Sequence, residues 1–92
     1  MTPDQQIFAS WLEENAPYLM PLFNFEKREY LPEKVERYFS VCSRGEEIMA
    51  RFFLSVWRND DHFNFQLIDA VKGLDSNNLR IINEWLESPK FP

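Results

Sequence analysis

The residues whose chemistry best suits catalysis or metal binding are His62, the single histidine of the chain, and Cys42, its single cysteine. His62 ends the run Asn-Asp-Asp-His, and a histidine beside carboxylates can bind a metal or exchange protons with a substrate. However, there is no second histidine or nearby cysteine, and the run lacks the glycine and the closing glutamate of a calcium loop. We therefore expect a solvated turn between helices here, with no metal, cofactor or catalytic residue.

Cys42 falls on the apolar face of a predicted helix, which favours a buried and unreactive thiol over a nucleophile. One cysteine allows no disulfide within the chain, which fits a reducing compartment. With only two glycines, the chain offers no glycine-rich loop for phosphate. These observations predict that the protein is not an enzyme, although a small enzyme stays open as a second alternative.

Composition predicts a single folded domain over residues 1–92, because 45% of the residues are hydrophobic and 16% are aromatic. The net charge of −5 disfavours nucleic acid and anionic membranes as partners. No apolar run approaches the roughly 18 residues of a membrane span. The first residues lack the basic and apolar parts of a signal peptide, so the expected location is cytoplasmic.

The stretch from Ser43 to Trp57 predicts a central helix, because apolar residues cover most of its circumference at helical spacing. Ser43 and Glu46 have the spacing of a capping box. The apolar pattern predicts that Phe52 and Phe53 are both buried. Three tryptophans fall at inward positions of three separate helices, and these are Trp11, Trp57 and Trp85.

The same reasoning along the whole chain predicts an all-α fold. It is a compact bundle of four main helices, with an aromatic segment at 17–30 interrupted by prolines. The expected helices are about 3–15, 32–42, 44–58 and the tight pair 64–73/76–87. Two points stay open: whether residues 16–30 form helical turns or loop, and whether the second and third helices are separate.

In the tight pair, Asn64 is the expected N-cap of the first helix, Gly73 its left-handed stop, and Asp75 the N-cap of the second. Helical spacing predicts that both helices turn an apolar face inward. The residues expected on these faces are Leu67, Ile68, Val71 and Leu74, followed by Leu79, Ile81, Ile82, Trp85 and Leu86.

A helix, a short turn with glycine and a second helix also form the skeleton of a helix-turn-helix, so a nucleic-acid-associated regulator is the first alternative. Its second helix would present Ser76, Asn77, Asn78 and Arg80 to base edges. From Asn59 onwards the chain holds three basic residues against six acidic ones. We therefore expect no useful affinity for duplex DNA.

The preferred interpretation is a protein–protein interaction or regulatory module, including an inhibitor of a basic protein or a homodimer. The candidate interaction surface is the aromatic segment, because its prolines prevent one helix from burying all its apolar side chains. Its residues are Tyr18, Met20, Phe23, Phe25 and Tyr30. The competing interpretation, that these side chains close the bundle, stays open.

Overall fold

A computed structural model describes residues 2–92 of the protein. Within that range five α-helices, one 3₁₀ helix and a two-stranded sheet follow one another, and the all-α prediction is confirmed. The elements are α1 (Pro3–Asn15), the 3₁₀ helix (Pro17–Leu22), β1 (Phe23–Asn24), β2 (Glu29–Tyr30), α2 (Pro32–Val41), α3 (Arg44–Arg58), α4 (Leu67–Gly73) and α5 (Ser76–Glu87).

The helix α3 is the centre of the fold, as the sequence predicts. Its start is a capping box: Ser43 Oγ accepts from the Glu46 N–H at 3.2 Å, and the Ser43 N–H donates to Glu46 Oε1 at 2.9 Å. Because Ser43 has an extended backbone, α2 and α3 are separate helices. Seven residues of α3 are buried: Ile48, Met49, Ala50, Phe52, Phe53, Leu54 and Val56.

The segment 17–30 contains one helical turn and a hairpin. Pro17–Leu22 form the 3₁₀ helix, and β1 and β2 form an antiparallel pair in place of further helix or loop, with Phe23 opposite Tyr30. The hairpin turn is held by Asn24 Oδ1, which accepts from the Lys27 N–H at 3.1 Å. Arg28 next to it has a left-handed backbone, with φ of 58°.

Aromatic rings from α1, the hairpin and α3 pack into one cluster. Phe8 is fully buried, and its ring centre lies between 5.2 and 6.4 Å from those of five other rings. Trp11 lies 4.6 Å from Phe53 and is also buried. Such edge-to-face and tilted pairs add to the stability gained from burial alone. The five partners of Phe8 are Trp11, Phe23, Phe25, Phe53 and Trp57.

The start and stop of α4 differ from the prediction, whereas the cap of α5 agrees with it. Asn64 is not an N-cap: it has a left-handed backbone with φ of 52°, and α4 begins at Leu67 without a side-chain cap. Gly73 is the last helical residue and its φ is not positive. Asp75 Oδ1 accepts from the Asn78 N–H at 2.8 Å, so the predicted cap of α5 is confirmed.

Small residues explain why α4 lies where it does. A Cβ atom on Gly73 would stand only 2.9 Å from Ile48 Cδ1, so glycine permits the close approach of α4 to α3. Ala70 is fully buried, and Asp69 forms an ion pair with Arg44 at 3.3 Å. The face of α4 that meets α3 is therefore its small-residue face.

As a consequence, the large apolar side chains of α4 point away from the core. Leu67, Ile68 and Val71 are 49%, 65% and 61% exposed, so the prediction that they face inward is wrong. The prediction was also wrong for Leu86 of α5, which is exposed, and right for Leu74, Ile81 and Ile82, which are buried. Leu79 and Trp85 are partly buried against the core.

Candidate functional site

An apolar groove of about 540 Å³ lies between α3, α5 and the segment that leads into α4. Its buried lining residues are Phe52 and Val56 of α3 and Ile82 of α5. Leu67 and Leu86 also line the groove, and both are exposed. The groove is thus an open apolar channel with a floor supplied by the core.

The residues after α5 complete one wall of this groove. The Trp85 indole Nε1–H donates to the Lys90 carbonyl oxygen at 3.0 Å, and its ring lies 5.5 Å from that of Phe52. The Lys90 ammonium group lies 5.7 Å from the centre of the Trp11 ring. Phe91, which packs edge-on at 5.3 Å from Trp85, is thereby held in the lining, half exposed.

The apolar surface continues from the groove onto α4. Val71 follows Leu67 by four residues and Ile68 by three, so the three side chains are neighbours on one side of the helix. Ala70 and Gly73 occupy the opposite side, against α3, whereas Lys72 lies beside Ile68 at the border of the apolar side. We call this continuous region the α4–α5 surface, and define it by its exposed members: Leu67, Ile68, Val71, Leu86 and Phe91.

The ionisable residues in the groove lining are Asp60 and Asp61. Asp60 is neutralised by Arg58, whose Nη2 lies 3.0 Å from the carboxylate, and it also accepts from the His62 N–H at 3.1 Å. The hydrogen bond from Arg58, then that from His62, holds the pKa of Asp60 below its usual value. Asp61 has no ion pair with any of residues 2–92, so the groove lining carries one uncompensated negative charge.

The aromatic segment proposed from the sequence is divided between core and surface. Phe23 is buried and stacks on Phe25 at 5.3 Å, with ring planes only 7° apart. Met20, Phe25 and Tyr30 are partly buried against the core, and the Tyr30 hydroxyl accepts from Arg58 at 3.2 Å. Only Tyr18 of the five candidates is exposed. Packing therefore brings Phe23, Phe25 and Tyr30 against the bundle and leaves Tyr18 at the surface.

His62 and Cys42 lie in surroundings that give neither residue an evident chemical partner. The His62 ring is exposed and packs edge-on against Phe63 at 4.9 Å. Burial, followed by the negative charges of Glu47 and Glu46, raises the pKa of the Cys42 thiol, which weakens it as a nucleophile. Within residues 2–92 no group of three or more histidine, cysteine or acidic side chains could hold a metal ion. None of the described helices is both long enough and apolar enough to cross a membrane.

Sequence reasoning missed the exposed members of the α4–α5 surface because it treated every apolar stripe as a core stripe. One signal was available. Ala70 and Gly73 stand three residues apart and form a second face of α4. Because both residues are small, this face can pack closely on another helix. Nothing in the local pattern around Phe91 indicated its position.

Comparison with known proteins adds no relative. No protein-family model matches the chain, and searches of curated proteins and of solved structures find no match either. A functional assignment therefore rests on the geometry and the charges of the surface itself.

Proposed function

We propose that this protein is a protein–protein interaction module, and that it binds its partner through the groove and the adjoining α4–α5 surface. The observation that supports the proposal is the clustering of exposed apolar side chains. Eight large apolar residues are exposed among residues 2–92, and five of them fall between Leu67 and Phe91. Contiguous apolar surface of this kind is typical of sites that meet another protein.

Burial of these side chains by a partner would release appreciable free energy. Complete burial of a leucine, isoleucine or phenylalanine side chain contributes about 1.5–3 kcal/mol, so covering the exposed half contributes about 1 kcal/mol for each. Five such side chains offset a substantial part of the entropy lost on association. The exposed carboxylate of Asp61 would then help to select among apolar partners.

The ionisable groups near the groove support binding more than catalysis. A carboxylate with a lowered pKa, such as that of Asp60, is a poor proton donor at neutral pH. The proposal therefore includes no enzymatic activity. It also includes a cytoplasmic location, which the single cysteine supports.

The helix-turn-helix alternative is less well supported. Arg80, the basic residue of α5, donates to Asn77 Oδ1 at 2.7 Å and lies 3.8 Å from Glu84, so part of its charge is compensated. The acidic excess from Asn59 onwards opposes phosphate contacts. A protein partner suits this surface better than nucleic acid does.

Affinity capture with a matched pair of variants tests the proposal. Leu86 and Ile7 are equally exposed, at 51%, but Ile7 lies on α1 and outside the groove. We expect the wild-type protein and Ile7→Ser to retain the same protein from a lysate of the source cells, and Leu86→Ser to lose it. Circular dichroism should show that both variants remain folded. Equal retention by both variants would place the binding surface elsewhere.

A further inference from the structure

We propose that the groove binds a peptide segment of its partner that carries large apolar side chains beside a lysine or arginine, with the cation next to Asp61. This inference rests on the proposed function, since it assumes that the groove is the binding surface. It adds the chemistry of the partner, which the apolar surface alone does not specify.

The ionisable side chains that line the groove are acidic and therefore favour a basic partner. The lining holds two carboxylates and no basic side chain. Arg58 already compensates Asp60, whereas Asp61 is exposed and has no ion pair within residues 2–92. A cation brought in by the partner would complete the pair at Asp61. Because Asp61 is exposed, the ion pair would chiefly favour correctly charged partners and faster association.

The groove is also large enough and open enough to take the side chains of a peptide segment. A volume of about 540 Å³ accommodates several large side chains, and the channel is open on the side of Leu67 and Leu86. An open apolar channel beside a helix face suits an extended or helical segment that inserts a row of side chains. A segment with apolar residues on one side and a cation at one end would match both features of the site.

The charge of the protein also argues against a second copy of the chain as the occupant of the groove. The protein carries a net charge of −5, and the part from Asn59 onwards has twice as many acidic as basic residues. A second copy would bring like charge towards Asp61, which opposes association. We therefore assign the groove to a basic segment of a different protein.

Selection from a random-peptide library provides the test. Peptides of about 15 residues, long enough for four helical turns, are displayed on phage. They are selected on the wild-type protein, after those that bind Leu86→Ser have been removed. We expect the surviving peptides to combine large apolar residues with an excess of lysine or arginine.

A charge-reversal pair then locates the cation. The most enriched peptide is synthesised, and its Kd is measured by fluorescence anisotropy for the wild-type protein, Asp61→Lys and Glu13→Lys. Both variants change the net charge equally, but Glu13 lies on α1, is exposed and has no ion pair among residues 2–92. We expect Asp61→Lys to weaken binding about fivefold, the effect of losing and reversing one exposed ion pair, and Glu13→Lys to change it little.

The outcomes separate this inference from the function on which it rests. Groove-dependent peptides without an excess of basic residues, or equal effects of the two charge reversals, would overturn the inference and leave the proposed function standing. If no peptide survives the subtraction, both fail. A dimer detected by light scattering and abolished by Leu86→Ser would make a second copy the occupant of the groove, and would also overturn the inference.

Discussion

The elements that pack on the two sides of α3 use their own apolar residues in opposite ways. On one side, α1 and the hairpin cover α3 with interlocking aromatic rings centred on Phe8. On the other side, α4 meets α3 through Ala70 and Gly73 and leaves its large apolar side chains in solvent. The comparison shows that an apolar stripe becomes core only when the fold presents a surface to cover it.

The same contrast predicts an uneven distribution of stability. The aromatic side buries large rings, and each contributes strongly to folding. The α4 side depends on a helix of seven residues, which is too short to be stable alone, and on an exposed ion pair between Arg44 and Asp69. We therefore expect α4 to open locally before the aromatic side does.

The largest predicted effect compares one residue from each side. Phe8→Ala should lower the free energy of unfolding by about 3–5 kcal/mol, because a fully buried ring is removed from contact with five others. Ile68→Ala, on the exposed face of α4, should change it by less than about 0.5 kcal/mol. Urea unfolding followed by tryptophan fluorescence measures both. Similar losses in the two variants would mean that the two sides do not differ as described.

Most of the fold can be predicted from the sequence, because helical apolar spacing and helix-capping residues coincide along much of the chain. The central helix, its capping box at Ser43 and Glu46, and the cap at Asp75 all follow from residue types and spacing. The hairpin is not predictable in this way. Its strands have two residues each, and Arg28 supplies the left-handed position that a sequence rule assigns to glycine or asparagine.

The candidate site is less predictable because it depends on which side of a short helix meets its neighbour. The periodicity of α4 identifies an apolar face correctly, but it does not state whether that face is covered. Which face of α4 is covered depends on the close approach of Gly73 to Ile48, and this is a property of the two helices together. For the same reason, the sequence does not show that tertiary packing draws Phe23 and Phe25, two members of the candidate interaction surface, against Phe8.

The second prediction tests the small-residue contact of α4. Gly73→Ala should destabilise the protein by about 1 kcal/mol, because overpacking against the buried Ile48 outweighs the roughly 1 kcal/mol gained in helix propensity. Adding Ile48→Val, which deletes the Cδ1 atom that the new methyl group meets, should recover part of that loss. The free energies of unfolding of both single variants and the double variant form the cycle that measures this coupling.

Gly45 provides the matched control for Gly73. A Cβ atom there would lie 3.9 Å from Leu74 Cδ2, an ordinary contact, so Gly45→Ala should leave stability unchanged or raise it by about 0.5 kcal/mol. If Gly73→Ala also stabilises the protein, the close approach of α4 to α3 does not require glycine. The explanation for the exposed face of α4 would then fail.

The third prediction compares a capped helix with an uncapped one. Ser43→Ala should cost about 1 kcal/mol, because Ser43 Oγ accepts a backbone N–H at the start of α3. Gln66→Ala should cost less, since the side chain of Gln66 accepts no such bond at the start of α4. Thermal unfolding monitored by circular dichroism compares the two variants. A larger loss for Gln66→Ala would show that α4 contributes more to stability than its contacts indicate.

The smallest predicted effect is a pH dependence confined to the capped end of α3. The Ser43 backbone N–H, and then its side chain, hydrogen-bond to Glu46 and hold the pKa of that carboxyl group below its ordinary value. A carboxyl group whose pKa is lower in the folded than in the unfolded state stabilises the fold above its unfolded pKa, and that contribution is lost as the pH falls through the folded pKa.

Glu46→Gln should therefore reduce stability at neutral pH and make little difference in acid below the folded pKa. Urea unfolding at both pH values measures the change, with Glu13→Gln, an exposed position on α1, as the control. If the deficit of Glu46→Gln were the same at both pH values, the charge of Glu46 would have no part in capping α3.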